Sequence, residues 1–214
     1  MDYIAVLDYD HMDNGMFLTS FARSLAKQKK RGIIVHGESE YTERLIQTGI
    51  MREEATIRAM KDLNHRLVAL FADQGISTIG LNGYQKSLIT SGSDGLDIDT
   101  EQLKKLPEHP TLLISSLALN LEFSKPKPIP ISLLVQQLQD SLSIADVIIF
   151  SAKKDGEIIQ HDLPEKISME NSNRDLIEEL IPSDLIDSDL SMKLTTAQKF
   201  SSFPDSDSFS LVTQ

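Results

Sequence analysis

The sequence predicts an α/β protein, a three-layer αβα sandwich around a mainly parallel sheet. Three observations carry that expectation. Short apolar runs such as YIAVL at 3–7, IIV at 33–35 and DVIIF at 146–150 lack the polar alternation of half-exposed strands, as strands buried on both faces do. Between them lie stretches with apolar residues at helical spacing. Glycines mark the joints, at Gly32, Gly49 and Gly75.

Taken in order, YIAVL is the first strand. From Gly15 to Arg31, Met16, Phe17, Phe21, Leu25 and Ala26 recur with helical spacing, and KQKKR at 27–31 places cations at the helix end, where the dipole favours them. Ile33 to Val35 form the second strand. A helix is expected from Glu38 to Gln47, then a long one from Glu53 to Gln74 with Ile57, Met60, Leu63, Leu67, Leu70 and Phe71 along one face. ISTIGL at 76–81 is the third strand. The turn formers of TSGSDGLDIDTEQ invite a hairpin at SDG. TLLISSLAL at 111–119 is strand-like, and KPKPIP at 125–130 is an extended connector. A helix from Ser132 to Ser143, with Ser132 as N-cap, leads to the strand DVIIFSA. KKDG then turns the chain into EIIQHDL, giving a β-hairpin near 146–163. Helices around 173–180 and 189–202 and a last strand, FSLVT, complete the pattern. Ligands in such sheets bind beyond the carboxyl ends of the strands, where VHGESE lies.

Bulk properties exclude several classes. The 214 residues suffice for one large domain with a sizeable core. A net charge of −11 argues against nucleic acid, which clustered cations bind. No run of about 18 apolar residues suggests a membrane span. The absence of cysteine and of a signal-peptide pattern fits a cytoplasmic location. There is no GxSxG or HExxH motif, and the five histidines lack metal-ligand spacing, so no metal site is expected from them.

The order of segments resembles the amino-acid kinase family, most closely its acetylglutamate kinase branch. VHG at a strand end, the long helix closing with LVALFADQGISTIGLNG, the strand LLISSLAL, the stretch ISLLVQQLQDSLSIADVIIFSAKKDG and the segment NSNRDLIEELIPSDLIDSDLSMKLTTAQKF carry the likeness over nearly the whole chain. It implies a single domain, 1–214, with a substrate-side lobe over about 1–130 and a shortened nucleotide-side lobe over about 131–214. It also implies transfer of the terminal phosphate of ATP, with Mg²⁺, to a small substrate.

The family's functional positions are largely substituted here. Where it places a lysine and two glycines after the first strand, this chain has VLDYDHMDNG. Asp8, Asp10 and His11 suit either a metal site or a solvated acidic loop, and the loop is the expectation. The histidine-and-glycine turn after the second strand becomes His36, Gly37, Glu38 and Ser39. Glu38 puts a carboxylate where a helix start should receive phosphate. His36 either positions a ligand or is a core histidine bonded to backbone. Arg52 stands near the family's substrate-facing arginine, as a carboxylate clamp or a surface pair. Gly83, in the IGLNG turn, completes the implied binding set. Pro130 and Ser132 replace an asparagine and an aspartate, and Ala152 is nearest to a further missing acid. Lys193 matches the family's late lysine, at the start of a helix. Ser188 and Asp189 replace the glycines before it, and no glycine follows Gly156.

These substitutions imply impaired or lost phosphoryl transfer. The chain would instead bind a small acidic metabolite or form a homodimer, through Tyr41, Leu45 and Ile46 as family relatives do; in a monomer the same residues would be core. The alternative is an active, divergent kinase that phosphorylates the carboxylate of an acylamino acid, using ATP and Mg²⁺ with Lys193 and Arg23 or Lys27.

Overall fold

All five residues of the first strand, β1 (Tyr3–Leu7), are enclosed, and their alternation sends them into two different cores. Ile4 and Val6 join one apolar cluster, while Tyr3, Ala5 and Leu7 join another. A strand in that position needs a covering layer on each side, and the fold has three layers for this reason. The structure is a computed structural model describing residues 1–151, 166–169, 177–178, 180–186, 188, 190–205 and 209–213.

Eight strands form the central sheet, in the order β10 (Lys166–Ser168), β12 (Ser210–Thr213), β11 (Met192–Thr195), β9 (Asp146–Phe150), β1, β2 (Gly32–His36), β6 (Thr111–Ser115) and β3 (Thr78–Asn82). Every neighbouring pair is parallel except β11 with β12. One face is covered by α2 (Gly15–Leu25) and α4 (Arg52–Asp73). Here Phe21, Phe71, Phe150 and Phe200 form an aromatic knot, with Phe21 between 5.2 and 5.9 Å from the other three ring centres. Tyr3 packs edge-on to Phe200 and lies opposite Gly32, where a Cβ would come within 2.1 Å of the tyrosine ring. The other face is covered by α6 (Ile131–Leu142), through Leu134, Val135 and Leu138, and by a second sheet. That sheet runs β5 (Gly95–Ile98), β4 (Ile89–Gly92), β7 (Leu117–Asn120), β8 (Lys125–Pro128). The SDG hairpin is β4–β5, and α5 (Thr100–Lys104) follows it, capped by Asp99 at 3.0 Å from the Gln102 amide.

Several elements differ from expectation. TLLISSLAL is two strands in two sheets. The chain changes sheet at Ser116, whose N–H donates to the His36 carbonyl (2.9 Å) and whose carbonyl accepts from Ile129 (3.0 Å). Both halves are apolar because both sheets are buried, so pattern alone fused them. KPKPIP is not a free connector: β8 pairs antiparallel with β7 as an edge strand, where proline is tolerated. The helix of α2 stops at Leu25, short of KQKKR, and Arg31 instead donates to the Pro110 and Pro107 carbonyls at 2.9 and 2.6 Å. Ser132 lies inside α6, and Pro130 is its N-cap, since a proline lacking N–H loses nothing at a helix start. The helix expected over 189–202 is strand β11 followed by a 3₁₀ turn at Lys199–Ser202. Leu190, Met192 and Leu194 are all buried with period two, which is strand spacing. The return limb of the hairpin expected near 146–163, with Ala152 and Asp155, lies outside the described residues, as do Asp189 and most of 173–180.

Candidate functional site

At the carboxyl ends of β2 and β6 lies a cleft of about 330 Å³. Its walls are the Gly37–Glu38 turn, Thr56 of α4, the Pro130–Ser132 start of α6, and Asp184 of the short helix Ser183–Ile186. Larger depressions of about 740 and 540 Å³ lie between the β4–β5 and β7–β8 hairpins and beside α2. The smaller cleft is the candidate because it occupies the position where parallel sheets hold ligands.

His36 is not at its surface. The ring is fully buried, with Nδ1 donating to the Gly37 carbonyl (2.9 Å) and Nε2 accepting from the Asn64 amide (3.1 Å). Burial lowers its pKa to about 4, so it stays neutral. It is a core histidine bonded to backbone, and it holds the turn in place. Gly37 has open space: the nearest atoms to a Cβ there would be Ile131 Cδ1 and Ser116 Oγ, each at 3.8 Å. Glu38 is not at a helix start, because α3 (Tyr41–Gln47) begins later. Its carboxylate accepts from Thr56 Oγ1 (3.3 Å) and faces the cleft. Ser39, fully buried just ahead of α3, accepts the Tyr41 N–H with its Oγ at 3.1 Å.

The remaining expected residues do not converge here. Arg52 begins α4 on the surface and grips Glu43 with both terminal guanidinium nitrogens (2.8 and 3.3 Å); it is a surface pair. Gly83 is a packing glycine, since a Cβ would lie 2.1 Å from the Leu117 carbonyl oxygen. Lys193 sits within β11, and its Nζ is 2.6 Å from Asp146 Oδ1 at the amino end of β9, with the Phe209 ring centre 4.6 Å away. Its ammonium is therefore at the opposite end of the sheet from Gly37. Arg23 and Lys27 line the separate depression beside α2. Tyr41, Leu45 and Ile46 pack against α4 of their own chain around Ala55 and Ala59.

The loop after β1 is neither solvated throughout nor a metal site in form. Asp8, the N-cap of the short helix α1 (Tyr9–Met12), is 1% exposed, and His11 within that helix is 3% exposed. His11 uses both nitrogens: Nε2 donates to the Ser151 carbonyl and Nδ1 accepts from the Asp8 N–H, each at 3.2 Å. Neither oxygen of Asp8 accepts a well-formed hydrogen bond. Burial first, then the charges of Asp184 and Asp10, raise its pKa to about 7. Asp184 is raised as well, by desolvation and by Asp10. Sequence reasoning weighed Asp8 only as a metal ligand or a solvated loop residue, and it missed Asp184 altogether. The available signal was an aspartate closing a fully apolar strand, DY after YIAVL.

No protein-family model and no curated protein matches the sequence. Solved structures do match the fold. Isopentenyl phosphate kinase aligns over 100% of this chain and 99% of its own, with a TM-score of 0.65 and 13% identity. N-acetylglutamate synthase from Neisseria gonorrhoeae aligns over 99% of this chain and 61% of its own, with a TM-score of 0.64 and 14% identity. Aspartokinase III from E. coli aligns over 99% of this chain and 64% of its own, with a TM-score of 0.67 and 8% identity. This chain thus spans less than two thirds of the latter two. At such identities the likeness is one of fold, and the fold is that of the amino-acid kinases.

Proposed function

We propose that this chain keeps an amino-acid kinase architecture, nearest the acetylglutamate branch, but works by binding a small ligand rather than by transferring phosphate. The observation that supports this is the charge of the cleft. Among the described residues lining it, the only acidic or basic side chains are the carboxyl groups of Glu38 and Asp184. Phosphoryl transfer is mostly positioning and neutralisation of negative charge, which two carboxylates oppose. Among the described residues the cleft does not fit ATP with Mg²⁺, because Lys193 is committed to Asp146 at the far end of the sheet and Arg52 to Glu43. The glycine-free sequence after Gly156 also lacks the residue that nucleotide loops use for close backbone approach.

Loss of one preorganised donor removes about 2.7–4 kcal/mol of transition-state stabilisation. Several are replaced here, so a rate deficit on the order of 10⁴-fold is expected. Incubation with ATP, Mg²⁺ and acetylglutamate tests this: no phosphoryl transfer is expected, and turnover above about 0.1 s⁻¹ overturns the reading. Nucleotide is likewise expected to leave the melting temperature unchanged.

A further inference from the structure

We propose that the end of α2 and the loop after it form a docking surface for an extended acidic segment of a partner protein, with Arg23 and Lys27 receiving its carboxylates. The surface lies at the amino end of β2, opposite the cleft at Gly37, and does not depend on how that cleft works. In a chain of net charge −11, the stretch from Asn14 to Gly37 contains no Asp or Glu, yet it holds Arg23, Lys27, Lys29, Lys30 and Arg31. The first four are exposed, and none forms an ion pair among the described residues. Arg31 directs Nε and Nη2 to the neutral Pro110 and Pro107 carbonyls, which leave its charge uncompensated. Two acids stand nearby: Asp2 accepts the Arg31 backbone N–H at 2.9 Å, and Glu108 shares a depression with Lys29 and Lys30. The helices α2 and α4 also end here, each offering about half a negative charge. Acids and helix ends together supply about three negative charges against five cations, so the surface stays positive.

The shape of the surface selects the occupant. Two depressions flank the helix end, about 540 Å³ beside Arg23 and Lys27 and about 260 Å³ beside Lys29 and Lys30. No acidic side chain is among the described residues lining the first. Its floor is fixed, because Ser24 and Ser201 both donate to the Gln198 carbonyl, at 3.3 and 3.1 Å, and so tie α2 to the 3₁₀ turn. The Ala26 and Lys27 N–H groups donate to the Ala22 and Ser24 carbonyls (2.9 and 3.1 Å), so the turn continues past Leu25 and places Lys27 one turn beyond Arg23. The two positions are about 6 Å apart along the helix axis. Side chains two positions apart in an extended peptide are about 7 Å apart, so acids at alternate positions meet both cations in register. Nucleic acid and an anionic membrane are long or wide polyanions that run past the patch onto a strongly acidic protein surface. A segment of a few residues stays within the patch, and with a Debye length of about 8 Å the distant acids are screened from it.

Probes of matched length test the proposal. The full chain is titrated with hexaglutamate, hexaserine, hexathymidylate, inorganic phosphate and phosphatidylserine vesicles at constant ionic strength, while the backbone resonances of Ser20, Arg23, Lys27, Lys30 and Gly37 are followed by NMR. Saturable shifts with hexaglutamate are expected at the first four and not at Gly37. Hexaserine is expected to give none. The paired reversal Arg23→Glu with Lys27→Glu should weaken hexaglutamate about tenfold or more. Arg58→Glu, an exposed cation in the first half of α4 near the other end of the sheet, should leave it unchanged. No saturable response to hexaglutamate, equal or tighter binding of phosphate, hexathymidylate or vesicles, shifts centred on Gly37, or an affinity indifferent to the paired reversal overturns the proposal. The wild-type probe series decides it even where the double variant fails to fold.

Discussion

Replacing Asp8 with asparagine is expected to stabilise the protein increasingly as the pH rises from about 5 to about 8. The carboxyl pKa is raised from 3.8 to about 7, chiefly by burial and then by Asp184 and Asp10. A group with a raised folded pKa binds more protons when folded, so its contribution is full below about 3.8 and is lost as the pH climbs through about 7. Roughly three pK units at about 1.36 kcal/mol each set a ceiling near 4 kcal/mol. His11 and His36 act in the opposite direction, since both are lowered from 6.5 to about 4; their contribution is present above 6.5 and lost as the pH falls. Above about 6.5 Asp8 therefore dominates, and the variant-minus-wild-type difference cancels the histidines at every pH. The asparagine amide is itself buried, so the expected gain near pH 8 is about 1–3 kcal/mol. Urea melts of both proteins across this pH range measure it. Stability curves that run parallel from pH 5 to pH 8 would refute the reasoning.

Three further outcomes are expected. Gly83→Ala should destabilise severely, because its Cβ meets the Leu117 carbonyl oxygen at 2.1 Å, whereas Gly37→Ala should change the melting temperature little, with 3.8 Å of room. Thermal melts compare the two, at roughly 2–4 °C per kcal/mol for a chain of this size. Lys193→Met should lower stability by about 1–3 kcal/mol by stranding Asp146, as a urea melt would show. Phe21→Ala should lose about 3–5 kcal/mol in a urea melt, since that ring joins α2, α4 and β9.

The layers of the fold were legible because YIAVL, IIV and VIIF are apolar at every position, which only a doubly covered strand needs. The long helix α4 was legible for the complementary reason: its buried residues Met60, Leu63, Leu67 and Phe71 keep helical spacing. TLLISSLAL was opaque because two adjacent strands in different sheets are equally enclosed. SMKLTTAQKF was opaque because its strand is only four residues, Met192–Thr195, too short for its period of two to outweigh helix-forming neighbours. At the site, the substituted glycine turn could be read directly, but its electrostatics could not. Asp8 and Asp184 are about 176 positions apart, and only the folded sheet and the Ser183–Ile186 helix bring Asp8 within electrostatic reach of Asp184.

The tyrosine at position 3 and the glycine at position 32 behave as a single lock. A larger residue at 32 expels the phenol ring, and a smaller one at 3 leaves a hole that glycine cannot fill. Either event unseats Phe200, which rests 5.5 Å from that ring and belongs to the far end of the chain. A library randomising both positions should therefore return big–small combinations only, and every accepted exchange of one partner should arrive with a matching exchange of the other.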